Sequence, residues 1–171
     1  MSDTSVRLRP VGEADRPLME RLWLLFRHDM SEFAGRLPEP DGTFRSDRLD
    51  NALRGGPDWA AYALTLGERP AGLAFVRNLT GATRILNSFF VVRGARRAGV
   101  GMRAVRLLVA EHPGRWEIAF QDSNPAAVRF WRRVAAELAG DAWSEERRPV
   151  PDRPEVPPDA WISFDVPPAE R

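Results

Sequence analysis

The start of the chain shows two hydrophobic patterns with different periods. Val6 and Leu8 alternate with arginines, which is typical of a half-buried strand, and Pro10 ends that strand. From Pro17 onward, apolar residues recur at helical spacing, at Leu18, Leu22, Leu25, Phe26, Met30 and Phe33. The two patterns predict a strand followed by an amphipathic helix of about 15 residues.

The next part of the chain predicts a loop and then a β-hairpin. Residues 34–58 are rich in glycine and proline, which indicates a loop, and a short helix is predicted around residues 46–53. Two apolar runs, Trp59 to Leu66 and Ala71 to Asn78, flank a Gly-Glu-Arg-Pro turn and predict the hairpin. A further strand is predicted from Arg84 to Val92.

A strand, a glycine-rich turn and a helix follow one another in the middle of the chain. The strand ends at a turn that contains Gly99 and Gly101, and an amphipathic pattern predicts a helix over residues 99–111. Glycines let an anion approach the backbone closely, and the first helical turn offers unpaired N–H groups with partial positive charge. We therefore predict a phosphate-binding site at this turn. The arginines beside it are Arg93, Arg96 and Arg97.

The last third of the chain predicts two further helix and strand units. An apolar run from Trp116 to Phe120 predicts a strand over residues 115–121. Asn124 is suited to cap a helix and Pro125 to its first position. The buried stripe of this helix comprises Val128, Trp131, Ala135 and Leu138. The remaining elements are a strand that opens at Ala142, an irregular proline-rich segment over 149–158, a closing strand over 161–166 and a frayed tail over 167–171.

Composition narrows the class of protein. A length of 171 residues suits a single domain over residues 1–171, and strands alternating with helices predict an α/β layered architecture. The formal net charge of +1 gives no overall attraction to nucleic acid or to an anionic membrane. The sequence has no apolar run of about 18 residues and no signal peptide, so we expect a cytoplasmic protein.

Residue types that are missing exclude several chemistries. Without cysteine, the chain forms no disulfide, no cysteine nucleophile and no thiolate metal site, and two distant histidines indicate no metal site. All 25 basic residues are arginine. The phosphate loop that ends in Gly-Lys-Ser/Thr is therefore excluded, and the chain cannot acetylate a lysine side chain of its own.

The glycine-rich turn reads Arg96-x-x-Gly99-x-Gly101 and resembles the pyrophosphate loop of the GNAT superfamily, the N-acyltransferases that use acetyl-CoA. The features after it also resemble the family: a second apolar strand, then Asn124-x-x-Ala127, then an aromatic pair at Phe130-Trp131. The N-terminal strand and the Glu-Ala-Asp at residues 13–15 are similar to the family's first strand and helix start. The resemblance covers roughly residues 5–138.

The resemblance implies a fold, a cosubstrate and a set of binding residues. The fold is a mixed, mainly antiparallel sheet flanked by helices, splayed where the strand before the glycine turn leaves its parallel neighbour. Acetyl-CoA enters that splay as cosubstrate, and strand backbone groups pair with its pantetheine. The implied cofactor-binding residues are Phe90, Val91, Val92, Arg96, Arg97, Ala98, Gly99, Val100, Gly101, Met102, Asn124 and Ala127.

The catalytic groups are less clear from the sequence. The family usually has Phe-Tyr at the aromatic pair, and its tyrosine protonates the departing sulfur; Trp131 stands in that place, and an indole N–H does not transfer a proton usefully. Glu32 and Asp122 are weak candidates for a base. Each is more often a solvated or capping residue, as are His28 and Asp29 near the end of the first helix.

The resemblance implies transfer of an acetyl or other short acyl group to an amine by direct attack in a ternary complex, since no cysteine is present to carry a covalent intermediate. Two alternatives stay open: a CoA-binding sensor or partner protein without catalysis, and an aminoacyl or acyl-carrier transferase. The acceptor is a small-molecule or peptide amine, and the segments 34–57 and 144–159 are expected to shape its site. Their mixed charge leaves the sign of the acceptor open, and a homodimer is also left open.

Overall fold

The structure, a computed structural model, describes residues 4–170 and is built on one seven-stranded sheet. The strands are β1 Val6–Pro10, β2 Trp59–Leu66, β3 Arg69–Arg77, β4 Thr83–Val91, β5 Gly114–Phe120, β6 Trp143–Arg148 and β7 Asp159–Val166. The helices are α1 Arg16–Ala34, α2 Asp47–Arg54, α3 Val100–Glu111 and α4 Pro125–Ala139. Within residues 4–170, no helix is both long enough and apolar enough to cross a bilayer.

The order of strands across the sheet is β1-β2-β3-β4-β5-β7-β6. Strands β4 and β5 run parallel, and every other neighbouring pair is antiparallel. The mixed, mainly antiparallel α/β sheet predicted above is therefore confirmed. A parallel pair needs a crossover, and α3 supplies it between β4 and β5.

The two central strands separate halfway along β4. Their pairing runs from Thr83 opposite Arg115 to Leu86 opposite Ile118, whereas β4 continues beside β3 as far as Val91. A bulge at Asn87 marks the separation, because Phe75 lies opposite Ser88 while Val76 lies opposite Leu86. The second half of β4 therefore presents one backbone edge to an opening between the two strands.

Helices cover both faces of the sheet. Helices α3 and α4 bury one face, where Trp116, Leu108 and Val134 are inaccessible to solvent. Helices α1 and α2 bury the other face, around Met19 and Phe75. The sheet thus lies between two apolar layers, and the opening beside β4 lies where both layers meet.

Most predicted elements form, with small differences at their ends. Helix α1 is longer than expected, at 19 residues. It is followed by Gly35, whose N–H donates to the Ser31 carbonyl. The Asn124 side chain accepts the Ala127 N–H at 3.1 Å, which confirms the predicted cap of α4. Residues 167–170 of the predicted tail have no regular structure, and residue 171 lies outside the described residues.

Candidate functional site

The turn between β4 and α3 presents a run of unpaired backbone donors. Arg97 and Gly99 both have φ near the left-handed value of 72°, which turns successive N–H groups towards one side. The carbonyls of Ala98 and Gly99 accept bonds from Arg103. Among residues 4–170, the N–H groups of residues 97–102 have no hydrogen-bond acceptor. Such donors at a helix start form a binding site for phosphate.

These donors open onto a groove of about 790 Å³ that runs between α1, β4, α3 and the start of α4. Most of the residues that the sequence assigned to the cofactor line it: Phe90, Val91, Arg96, Arg97, Gly99, Val100, Gly101, Met102, Asn124 and Ala127. Val92 and Ala98 do not line this groove.

The edge of β4 that faces the groove differs by one residue from the expected one. The N–H of Val92 donates to the Ala71 carbonyl of the hairpin at 2.8 Å, so Val92 is turned towards β3. Ladder bonds alternate along an antiparallel pair, so Phe90 is also turned to β3, whereas the backbone groups of Phe89 and Val91 point into the opening. Of the three residues Phe90 to Val92 whose backbone was expected to pair with pantetheine, Val91 presents its backbone groups to the opening, whereas Phe90 and Val92 turn theirs towards β3.

Only part of the positive charge beside the turn is available to a ligand. Arg96 donates from Nε to the Val91 carbonyl at 2.8 Å and forms an ion pair with Asp29. Arg93 donates to the same Asp29 at 3.0 Å. Asp29 thus links α1 to the turn by ion pairs with both arginines. Arg97 is exposed at the groove, and no ion pair holds it within the described part of the chain.

Trp131 is part of the core and also part of the groove wall. It is 7% exposed and packs edge-on against Phe89 and Phe130, at centroid distances of 5.3 and 4.7 Å. Its indole N–H has no acceptor among residues 4–170. A Cβ on Gly101 would lie 3.1 Å from the Phe130 ring, so this glycine allows α3 to pack against the aromatic cluster.

A second cavity of about 690 Å³ adjoins the groove. Phe33 lines both, and Gln121 to Ser123 line the second cavity directly before Asn124, which lines the groove. The wall of the second cavity comes from α1, the segment after it, the start of α2 and the segment between β6 and β7. The two segments expected to shape an acceptor site, 34–57 and 144–159, therefore both contribute to it.

The carboxylates near these cavities have different surroundings. Glu32 is exposed at the groove. Asp122 lines the second cavity, but both its oxygens accept from Arg147, at 2.7 and 2.8 Å. His28 is exposed and lines neither cavity.

Asp159 ends the segment 144–159 that was expected to shape an acceptor site, but the sequence did not single it out as a candidate acid or base. It begins β7 and lines the second cavity, where burial raises the pKa of its carboxyl above 3.8. It lies opposite Arg148 in the pairing of β7 with β6, which no local pattern reveals.

Comparison with solved structures identifies the fold. An acetyltransferase from Thermus thermophilus superposes with a TM-score of 0.71 at 19% identity, covering 97% of this chain and 100% of that one. A GNAT-family acetyltransferase from Staphylococcus aureus gives 0.67 at 12%, covering 95% and 100%. A ribosomal L7/L12 alpha-N-protein acetyltransferase in complex with coenzyme A gives 0.67 at 12%, covering 97% of each chain.

The chain therefore has the fold of the GNAT acyl-CoA N-acyltransferases, as its sequence predicted. A comparison with models of protein families finds no match, and a comparison with curated proteins finds none either.

Proposed function

We propose that the protein transfers an acetyl or other short acyl group from acyl-CoA to an amine. The observation that carries this proposal is the run of unpaired N–H groups at residues 97–102, which lies at the mouth of a groove beside the splayed edge of β4. The solved GNAT-fold structures include a complex with coenzyme A, which supports a CoA thioester as the donor.

The chain's own groups can bind and orient such a donor. The N–H groups of residues 97–102 bind the pyrophosphate, and the outward edge of β4 at Phe89 and Val91 pairs with the extended pantetheine. The Val91 carbonyl accepts a bond from Arg96, and the outward Val91 N–H is a donor that can stabilise the thioester oxyanion. Holding the thioester in place for attack by the amine is the main catalytic contribution that we expect.

The transfer balances without a covalent intermediate. The neutral amine nitrogen attacks the thioester carbonyl carbon, a C–N bond forms, the C–S bond breaks, and the electron pair leaves with sulfur. The nitrogen loses one proton to a base, for which Glu32 at the groove and Asp159 in the second cavity are the candidates. The sulfur needs little help, since a thiol with a pKa near ~8.5 is a fair leaving group.

Titration of the protein with acetyl-CoA by calorimetry, followed by turnover with a panel of amines, tests the proposal. We expect saturable binding and release of free CoA thiol that depends on the amine. A protein that is folded but binds neither acetyl-CoA nor CoA would contradict it.

A second candidate function is CoA binding without catalysis, and the tryptophan at position 131 favours it, because it provides no acid near the sulfur. The same two measurements separate the two functions. Tight CoA binding without turnover of any amine supports the second function, whereas turnover supports the first.

A further inference from the structure

The second cavity, which adjoins the groove at Phe33, is lined by an excess of positive side chains. Five arginines contribute to its wall: Arg27, Arg36, Arg45, Arg48 and Arg153. Three aspartates face them: Asp47, Asp122 and Asp159. The chain as a whole carries 25 basic and 24 acidic residues, so this excess is local.

Ion pairs account for two of the five arginines and two of the three aspartates. Arg45 pairs with Asp47, Arg153 with Glu155, and Asp122 is held by Arg147. Among residues 4–170, no carboxylate lies within ion-pair distance of the remaining three arginines. We call these three the cavity arginines: Arg27, Arg36 and Arg48.

Arg27 shows most directly that the cavity arginines lack a partner. Its Nε is buried and has no hydrogen-bond acceptor among the described residues, which is rare for a guanidinium in a folded protein. The guanidinium carbon lies 5.8 Å from the centre of the Trp23 ring, within the range of a cation–π contact. Burial lowers the pKa of Arg27, and the charges of Arg48, Arg36 and Arg45 lower it further.

The same crowding holds at Arg48. Its side chain is exposed to the cavity, yet protein surrounds it closely enough that burial lowers its pKa, and the Arg77 charge lowers it further. The Asp159 charge acts in the opposite direction and raises it. Guanidinium groups arranged in this way bind carboxylates and phosphates with two parallel hydrogen bonds.

We propose that the acceptor carries an anionic group, a carboxylate or a phosphate, in addition to the amine that receives the acyl group, and that the cavity arginines bind this anion. The inference rests on the acyl transfer proposed above, and it names the class of acceptor. The bond changes are those of that transfer, and the anionic group is not altered. A polycationic acceptor would meet the cavity arginines with like charge and is disfavoured.

Matched amines that differ only in charge test this inference. We would measure kcat/KM with acetyl-CoA for 4-aminobutyrate, 4-aminobutanamide and 1,4-diaminobutane, for phosphoethanolamine against ethanolamine, and for dipeptides against their amides. The anionic member of at least one pair should be preferred about tenfold or more, which corresponds to one charge-assisted hydrogen bond. Preference for a carboxylate or for a phosphate distinguishes the two sources of negative charge.

Variants on a single helix show whether the cavity is responsible. Arg48→Gln removes one cavity arginine, whereas Arg54→Gln removes an arginine of the same helix, α2, that lines neither cavity. Arg48→Gln should reduce the preference to less than threefold while leaving the affinity for CoA unchanged, and Arg54→Gln should keep the preference. Arg27→Gln provides a second test if Arg48→Gln fails to fold.

If no amine of the panel reacts, anion binding is measured directly. Succinate and inorganic phosphate are titrated by calorimetry with CoA present. Anion binding that is lost in Arg48→Gln and kept in Arg54→Gln supports the inference. A preference for the neutral or cationic amine, or an absence of anion binding together with no anionic preference, overturns it. Failure to bind CoA would instead overturn the proposed function, and it is measured separately.

Discussion

Gly99 lies directly before α3 and Gly101 in the first turn of that helix, and each is glycine for a different physical reason. Gly99 has open space around it but a φ of 72°, so its backbone conformation is what disfavours a side chain. Gly101 is helical, and its constraint is the Phe130 ring at 3.1 Å from a Cβ. The sequence pattern therefore predicts the turn at Gly99, whereas the glycine at position 101 reflects packing against Phe130.

Substitution Gly101→Val should weaken CoA binding by ~2 kcal/mol, about 30-fold, comparable to losing one or two charge-assisted bonds. The valine would push on Phe130 and displace the first turn of α3, whose N–H groups face the groove. Calorimetric titration measures the change. Gly94→Val is the matched control, because Gly94 has open space and an ordinary φ, and it should bind CoA as the wild type does. Wild-type affinity in a folded Gly101→Val protein would contradict the assignment of the turn.

Substitution Trp131→Tyr tests whether this position takes part in the chemistry. The smaller ring leaves a gap in the cluster with Phe89 and Phe130, so we expect a loss of ~1–3 kcal/mol in unfolding free energy. The hydroxyl also places an acid at the groove wall, so turnover at neutral pH should rise, at most towards about 10²-fold. Stability and turnover are measured on the same preparation.

Trp131→Phe is the control for that variant, because it has a similar ring without the hydroxyl. The difference between the tyrosine and phenylalanine variants isolates the proton donor from the packing change. Equal turnover and equal pH profiles in the two variants would show that Trp131 packs and has no part in the chemistry.

At the residue scale, features that depend on neighbours in sequence were predicted, and features that depend on tertiary contact were not. The Asn124 cap involves an amide three residues away, so local pattern sufficed. Asp29 bonds arginines that follow it by 64 and 67 residues, and no sequence pattern links them. The position of Asp159 in the second cavity depends in the same way on the pairing of β7 with β6, which forms only in the fold.

At the element scale, one ion pair ties α4 to β6. Glu145 of β6 accepts two bonds of 2.8 Å from Arg132 of α4 and a third from Arg147. The Arg132 guanidinium lowers the pKa of Glu145 from 4.5 to about 2. Because the folded-state pKa is the lower one, the pair stabilises the protein fully above pH 4.5, and that stability is lost as pH falls towards about 2.

Glu145→Gln should therefore reduce the difference in unfolding free energy between pH 6 and pH 2.5, by about 1–2 kcal/mol after allowance for solvent around the arginine. Denaturant unfolding at the two pH values measures it. Glu68→Gln, which removes an exposed carboxylate in the turn between β2 and β3, should leave the difference as in the wild type. An unchanged pH difference in Glu145→Gln would mean that the pair does not stabilise the fold.

Helices and strands were predicted with ends within a few residues, because each has its own hydrophobic period. The bulge at Asn87 was not predicted, because it results from the registers of β4 with β3 on one side and with β5 on the other. The bulge decides which backbone groups of β4 face the opening: those of Phe89 and Val91 do, and those of Phe90 and Val92 are turned to β3. Registers between strands are set by contacts distant in sequence, so sequence patterns leave them undetermined.

At the scale of the whole molecule, the distribution of charge matters more than its sum. A formal net charge of +1 suggests no attraction for anions, yet arginines gather at the turn, at the groove and in the second cavity. The sequence shows the sum, whereas the fold determines which arginines lack partners. Arg96, which the sequence placed with the phosphate site, is occupied by Asp29 and Val91, while Arg97 beside it is exposed.

The proposed site predicts that the affinity for CoA falls as salt rises, because CoA carries several phosphate charges and Arg97 is exposed beside the N–H groups assigned to them. Raising ionic strength from about 0.01 to 0.15 M shortens the screening length from roughly 30 to 8 Å. For one exposed charge we expect a loss of about twofold to fivefold in affinity over that range, measured by calorimetry at fixed pH.

Arg97→Gln should flatten this salt dependence, because the charge opposite the phosphates is gone while the backbone N–H groups of the turn remain. Arg21→Gln is the control: Arg21 is exposed on α1 and lines neither cavity, so its removal changes the net charge equally but should keep the wild-type salt dependence. If both variants flatten it alike, the net charge of the molecule governs binding. If the wild type already shows no salt dependence, the backbone N–H groups hold the phosphates without help from arginine.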